Sequence, residues 1–218
     1  RALRHQASPH ATVNQFVWAC LAGPERVHLL DRDDEERPFL SVIVRTQGRR
    51  IEELRETLLS LAAQTVDDFE VVIVGHRVDA LRRQRVEQLV LDAQAGLPER
   101  TTYVPAEVDG RAQLLNLGFE LARGEYVAVL DDDDIVFADW VEGYRRLASK
   151  HRGKVLRQRS TSQQHSIVDV AGQRGIQAAA TFTFEHDVAF SFTEHLLQNF
   201  TPFMTVAFPR GVWHDLGM

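Results

Sequence analysis

The chain has 218 residues, 44% hydrophobic and 26% charged, which suits one full-sized globular core and excludes a disordered chain. Its formal net charge of −6 supplies no global basic field, so nucleic acid is not an expected partner. A single cysteine, Cys20, excludes an internal disulfide and a cysteine-based zinc site.

Lysine occurs only at Lys150 and Lys154, so 23 of the 25 basic residues are arginine. Arginine suits bidentate contacts to phosphate, although a GC-rich genome produces the same bias. No run reaches the roughly 18 apolar residues that span a bilayer. Arg1 to His10 lacks the apolar core of a signal peptide. The expectation is a cytoplasmic protein without a transmembrane segment, with peripheral membrane contact left open.

Residues 1–37 read as an N-terminal extension or linker, ending in the charged stretch Asp31-Arg-Asp-Asp-Glu-Glu-Arg-Pro38. Phe39-Leu-Ser-Val-Ile-Val-Arg45 is a β-branched apolar run, the pattern of a strand buried on both faces. Thr46-Gln-Gly-Arg-Arg50 breaks it, and Ile51, Leu54, Leu58 and Leu61 then recur at helical spacing. Phe69-Glu-Val-Val-Ile-Val74 predicts a second buried strand, ended by Gly75-His76. The charged helix after it has Leu81, Val86, Leu89 and Val90 as expected buried positions. Thr102-Tyr-Val104 is a weak third strand. Arg111 to Arg123 reads as a helix with Gly118 inside it and Gly124 as its stop signal. Tyr126-Val-Ala-Val-Leu130 is a further buried strand that runs straight into Asp131-Asp-Asp-Asp134. Strand and helix alternate throughout, which predicts an α/β fold with a mostly parallel central sheet flanked by helices.

The grammar changes near residue 150. Residues 38–150 and 151–218 therefore read as two halves of different pattern. Ile167-Val-Asp-Val-Ala171 is a short apolar run before Gly172. Thr181-Phe-Thr-Phe184 and Phe190-Ser-Phe192 alternate as half-buried strands do, and Val206-Ala-Phe208 is closed by Pro209.

Ligands of doubly wound sheets bind beyond the carboxyl ends of the strands. Arg45-Thr46, Gly75-His76-Arg77 and the Asp run all fall there and are expected to converge on one crevice. Consecutive carboxylates at a strand end repel one another and invite a cation. Oxygen-only ligands suit Mg²⁺ or Mn²⁺, which commonly take one or two carboxylates together with substrate phosphates. Such an ion would neutralise a departing diphosphate. The same run also fits a solvated turn before the helix expected around Ala138–Leu147.

Ser41-Val-Ile-Val-Arg-Thr46, Ser60-Leu-Ala-Ala-Gln-Thr65 and Asp68-Phe-Glu-Val-Val-Ile-Val74 resemble the opening of inverting family-2 glycosyltransferases. So do Arg111-Ala-Gln-Leu-Leu-Asn-Leu-Gly118 and Leu121-Ala-Arg-Gly-Glu-Tyr-Val-Ala-Val-Leu-Asp-Asp-Asp-Asp134. The resemblance runs nearly continuously over residues 38–146, with a weaker echo at 199–218. It implies a Rossmann-like GT-A fold, a nucleotide-diphospho-sugar donor, a hydroxyl acceptor (glycan, lipid-linked or small molecule) and a divalent cation, Mn²⁺ or Mg²⁺, at a DxD motif. On this resemblance Arg45, Thr46, His76, Arg111, Asp131 and Asp132 are donor-binding candidates. Asp131 and Asp133 are the metal candidates, and Pro202 and Phe203 face the acceptor. The same resemblance makes 38–150 the nucleotide-sugar-binding half and 151–218 an acceptor-side half that stops early.

The chain departs from the family pattern in two places. Where an acidic pair usually follows the second strand, this chain has Gly75-His76, and a neutral histidine accepts through only one ring nitrogen. The general base of an inverting transfer usually lies after a Gly-Gly-Phe-Asp-Glu-like stretch. Gly211-Val-Trp-His-Asp-Leu-Gly-Met218 resembles the approach to that stretch, where the sequence ends, so no general base is assigned. Glu185-His186-Asp187 and Glu194-His195 lack the spacing of a zinc motif. Two alternatives stay open. A sugar-phosphate nucleotidyltransferase would want a richer glycine loop after the first strand. A non-catalytic nucleotide-sugar-binding or scaffold domain would tolerate both departures.

Overall fold

The computed structural model describes residues 37–183, 189–191, 193 and 201–216. Cys20, the Glu185 and Glu194 clusters and Asn199 lie outside the described residues.

The main sheet has six strands in the order β3-β2-β1-β4-β8-β5. The first four are β1 (Leu40–Thr46), β2 (Phe69–His76), β3 (Thr101–Ala106) and β4 (Tyr126–Asp131), all parallel. Three helices make the crossovers: α1 (Ile51–Ala62), α2 (Ala80–Ala93) and α3 (Arg111–Leu121). Helix α4 (Trp140–Lys150) follows β4. Strands β5 (Leu156–Arg157) and β8 (Val206–Pro209) complete the sheet, with β8 antiparallel to both β4 and β5. Strands from both sides of residue 150 therefore share one sheet. A short helix, α5 (Arg210–Leu216), ends the described chain.

Helices on both faces of the sheet create two apolar layers. Leu40, Val42 and Val44 point into one with Leu54, Leu58 and Tyr144. Ile43, Val127 and Val129 point into the other with Leu114 and Phe119. This is why the strands read as continuous apolar runs rather than alternating ones. Each fully buried Leu, Ile or Val contributes about 1.5–3 kcal/mol.

Several helix expectations need correction. Leu81 is 61% exposed, because it lies about 140° around α2 from Val86 and about 80° from Leu89, off the stripe that those two set. Gly118, inside α3, has a packing role. It lets the helix approach β1 so closely that a Cβ there would stand 2.7 Å from Ile43 Cγ2. Gly124 is not a left-handed helix stop, since α3 ends through Ala122 in extended conformation. A Cβ on Gly124 would lie 2.5 Å from the backbone nitrogen of Ser41, so close packing against β1 requires the glycine.

Beyond residue 160, β6 (Ser162–Val170) and β7 (Gln173–Thr183) form a separate antiparallel ribbon. Ala171 and Gly172 turn it with φ of 56° and 81°, and Gly172 N–H donates to Asp169 Oδ1. Thr181-Phe-Thr-Phe184 is expected to be half-buried, but its described residues, Thr181–Thr183, are exposed. Phe190 and Ser191 are outside any strand.

Candidate donor-binding site

The strand order reverses between β1 and β4, which opens a crevice at their carboxyl ends. Register then decides which side chains meet. Arg45 pairs with Asp131 across the parallel ladder, so the two side chains leave the sheet on the same face. The Arg45 guanidinium donates twice to Asp131 Oδ1, through Nε at 2.7 Å and through Nη2. One residue further on, Thr46 Oγ1 donates to Asp132 Oδ2 at 2.6 Å and accepts from Gly48 N–H at 2.9 Å. Gly48 has φ of 64°, and its missing side chain leaves room for Val78 and Arg82. Arg50 then spans the carboxylate run, donating from Nη2 to Asp132 Oδ1 and from Nη1 to Asp133 Oδ2.

Burial opposes the charge on Arg50, but Asp132 and Asp133 outweigh it and raise its pKa above the ordinary value. Burial also raises the pKa of Asp133, with Arg50 opposing and Asp132 and Asp131 adding to the rise. Asp134 turns back to accept from Asp131 N–H at 3.0 Å. Burial, against that hydrogen bond, pushes its carboxyl up to about 6.

Arg45, Thr46, His76, Arg111, Asp131 and Asp132 line one cleft of about 350 Å³, together with Gln47, Arg49, Arg50 and Leu114. Asp133 stands at its edge through Arg50. His76 Nε2 lies 3.1 Å from the Val108 carbonyl. A carbonyl only accepts, so Nε2 carries the proton and Nδ1 is the remaining acceptor of the neutral ring. Arg77 follows with φ of 48° and pairs with Asp109, holding the end of β2 in the left-handed region. Phe203 begins the 3₁₀ turn Phe203–Thr205, and the Arg45 guanidinium sits 5.5 Å from its ring centroid. Pro202 precedes it, its carbonyl accepting from Thr205 N–H and Oγ1. Pro202 and Phe203 thus stand beside the Arg45–Asp131 pair rather than in a separate region.

Arg50 is the site residue that sequence reasoning missed. The signal was present: two arginines after β1 face an acidic run on the adjacent strand, and opposite charges there favour pairing. A larger cleft of about 700 Å³ opens at the other end of the sheet. It lies where β1, β2 and β3 begin, away from the Asp run.

Among the described residues no three His, Cys, Asp or Glu side chains converge as a ready-made metal cage. The carboxylates instead fit a hard cation that takes its remaining ligands from a bound phosphate. Among the described residues no helix is long and apolar enough to cross a membrane.

An α/β sheet with this cleft is the architecture of GT-A glycosyltransferases. S. aureus TarS residues 1–349, solved with UDP-GlcNAc, superposes with TM-score 0.58 at 21% identity, over 82% of this chain and 47% of that one. The mannosyltransferase PcManGT of Pyrobaculum calidifontis, solved with GDP-Man and Mn²⁺, gives TM-score 0.56 at 18% identity, over 93% and 55%. Residues 41–193 match the sequence model of Glycosyl transferase family 2, and the chain belongs to that family. The uncharacterized glycosyltransferase MJ1057 of Methanocaldococcus jannaschii is 30% identical over 108 residues, 49% of this chain and 36% of that protein. The chain spans about a third of that relative's length.

Proposed function

We propose that this chain binds a nucleotide-diphospho-sugar and takes part in inverting transfer of the sugar to a hydroxyl acceptor, assisted by Mn²⁺ or Mg²⁺. One observation carries the reading: Asp131 and Asp132 share a cleft with Arg45, Arg50 and Arg111 at the switch point of the sheet, and Asp133 stands at its edge, paired to Arg50. Carboxylates suit a hard cation and a sugar's hydroxyls; arginines suit a diphosphate. TarS and PcManGT, solved with UDP-GlcNAc and GDP-Man, support the donor class. A bound divalent cation would offset the charge that develops on the leaving diphosphate.

The chain's own residues bind and orient. Asp131 and Asp133 would hold the cation, Arg111 would meet the base or the diphosphate, and His76 Nδ1 would meet the base. Residues 38–150 form the donor half, and 151–218 carry the acceptor side with Pro202 and Phe203 at the junction. Asp215, exposed on α5, and His214 are left without a catalytic role.

A second reading, a non-catalytic nucleotide-sugar-binding domain, is favoured by the arginines already pairing all three carboxylates. Calorimetric titration of UDP, GDP and dTDP with and without Mn²⁺, on the wild type and Asp133→Ala, tests the site. Metal-dependent binding of one nucleotide, lost in the variant, is expected and names the base. No binding of any nucleotide under either condition overturns the donor site. Release of free sugar from the matching donor then separates transferase from scaffold.

A further inference from the structure

Arg50 occupies an unfavourable place for a cation. It is the N-cap residue of α1, at the positive end of that helix's dipole, and its own side chain makes no cap hydrogen bond. The helix compensates with Glu52 and Glu53 in its first turn, and Glu52 pairs with Arg55, not with Arg50. What holds the Arg50 guanidinium is the carboxylate run, one nitrogen on Asp132 and another on Asp133. The two carboxylates differ. Asp132 is nearly buried, at 5% side-chain exposure, and also accepts from Thr46; Asp133 is 36% exposed and has Arg50 as its salt-bridge partner.

Charge counting follows from these pairs. Asp131, Asp132 and Asp133 face Arg45 and Arg50, and Arg49 and Arg111 line the same cleft, so the guanidiniums outnumber the carboxylates by one. A divalent cation added alone would deepen that positive excess and compete with a guanidinium for Asp133. A diphosphate brings the missing negative charge and gives a displaced guanidinium two oxygens to grip, as its planar fork allows.

We propose that Arg50 is an internal counter-ion of the donor site, which excludes a divalent cation from Asp133 until a nucleoside diphosphate arrives and then transfers to the diphosphate. This rests on the donor-site reading given above. The consequence is positive coupling: metal and nucleotide each raise the other's affinity, and much of that coupling passes through Arg50. Asp132 stays anchored by Thr46 throughout, so the exchange moves one long exposed side chain and leaves the sheet as it is.

The test is calorimetric titration of MnCl₂ alone, and of UDP and GDP at saturating Mn²⁺, into the wild type, Arg50→Gln, Arg50→Lys and Asp133→Asn, with thermal melts as the folding control. Arg50→Gln is expected to bind Mn²⁺ alone at least tenfold more tightly than the wild type and the nucleotide at least tenfold more weakly. Arg50→Lys should fall between, since an ammonium neutralises charge but does not bridge two carboxylates. Asp133→Asn should lose the Mn²⁺ affinity that Arg50→Gln gains. Equal or weaker Mn²⁺ binding by Arg50→Gln, with Asp133→Asn still weakening it, overturns the counter-ion role while the metal site stands. Tighter Mn²⁺ with unchanged nucleotide affinity overturns the transfer to diphosphate. No Mn²⁺ binding by any variant, with or without nucleotide, removes the metal reading and this proposal together.

Discussion

At the end of the sheet where the strands begin, Glu70 is 4% exposed, and its Oε1 accepts from the Ser41 hydroxyl and from Arg123 N–H at 2.6 Å. Ser41 Oγ in turn accepts from Gly124 N–H at 2.7 Å. At the other end, Asp131 to Asp133 are held by arginine side chains that reach across a cleft. Both ends tie β1 to its neighbours through carboxylates. The first uses backbone N–H groups and a short hydroxyl, which have nowhere else to go. The second uses long guanidinium groups that can exchange partners. Backbone donors make a fixed joint and arginines a reversible one, so the first end belongs to stability and the second to binding.

Opposite losses at the two ends test that division, and the largest is in binding. Asp133→Ala should weaken metal-dependent nucleotide binding by a hundredfold or more, about 3 kcal/mol, while its melting temperature stays within a few degrees of wild type. Titration and thermal melts on one preparation read both quantities. A large fall in melting temperature would mean that Asp133 belongs to the frame.

Glu70→Ala should do the reverse. It leaves the Ser41 hydroxyl without its acceptor and Arg123 N–H with only Ser41 Oγ at 3.1 Å, and costs about 3 kcal/mol in chemical denaturation. Nucleotide affinity of the folded fraction should not change. Gly124→Ala is next, at about 2 kcal/mol, because the added methyl meets the Ser41 backbone and not a side chain that could yield. Undiminished stability in either variant would erase the distinction between the ends.

Much of this layout is readable in the sequence. The runs 39–45, 69–74 and 126–130 announce buried parallel strands because helices cover both faces of the sheet. The placement of Arg45, Thr46, His76 and Asp131 in one crevice follows from strand ends alone. Arg50 was harder to read, because the sequence shows two arginines and an acidic run but not that the β1–β4 register brings them together. Gly124 looked like a helix stop, since nothing local distinguishes a glycine needed for left-handed backbone from one needed for close approach. Thr181-Phe-Thr-Phe184 has the alternation of a half-buried strand, but alternation does not say whether a second layer exists to cover it.

Thr46 joins the two behaviours, and it gives the smallest and most discriminating effect. The family resemblance implies that it touches the nucleoside, yet here its hydroxyl already donates to Asp132 Oδ2 and accepts from Gly48 N–H, which leaves one lone pair for a ligand donor. Thr46→Val keeps the shape, removes the hydroxyl and leaves Gly48 N–H without its acceptor, a cost of about 1 kcal/mol in denaturant. Asp132 would keep Arg50 but lose its fixed orientation, and nucleotide affinity should fall several-fold as a consequence. Thr46→Ser retains the hydroxyl and should restore both quantities. The two roles separate in the pattern of losses. Lost stability together with lost affinity marks Thr46 as a positioning residue acting through Asp132. Lost affinity at unchanged stability marks direct contact with the nucleoside through the acceptor lone pair that the hydroxyl retains.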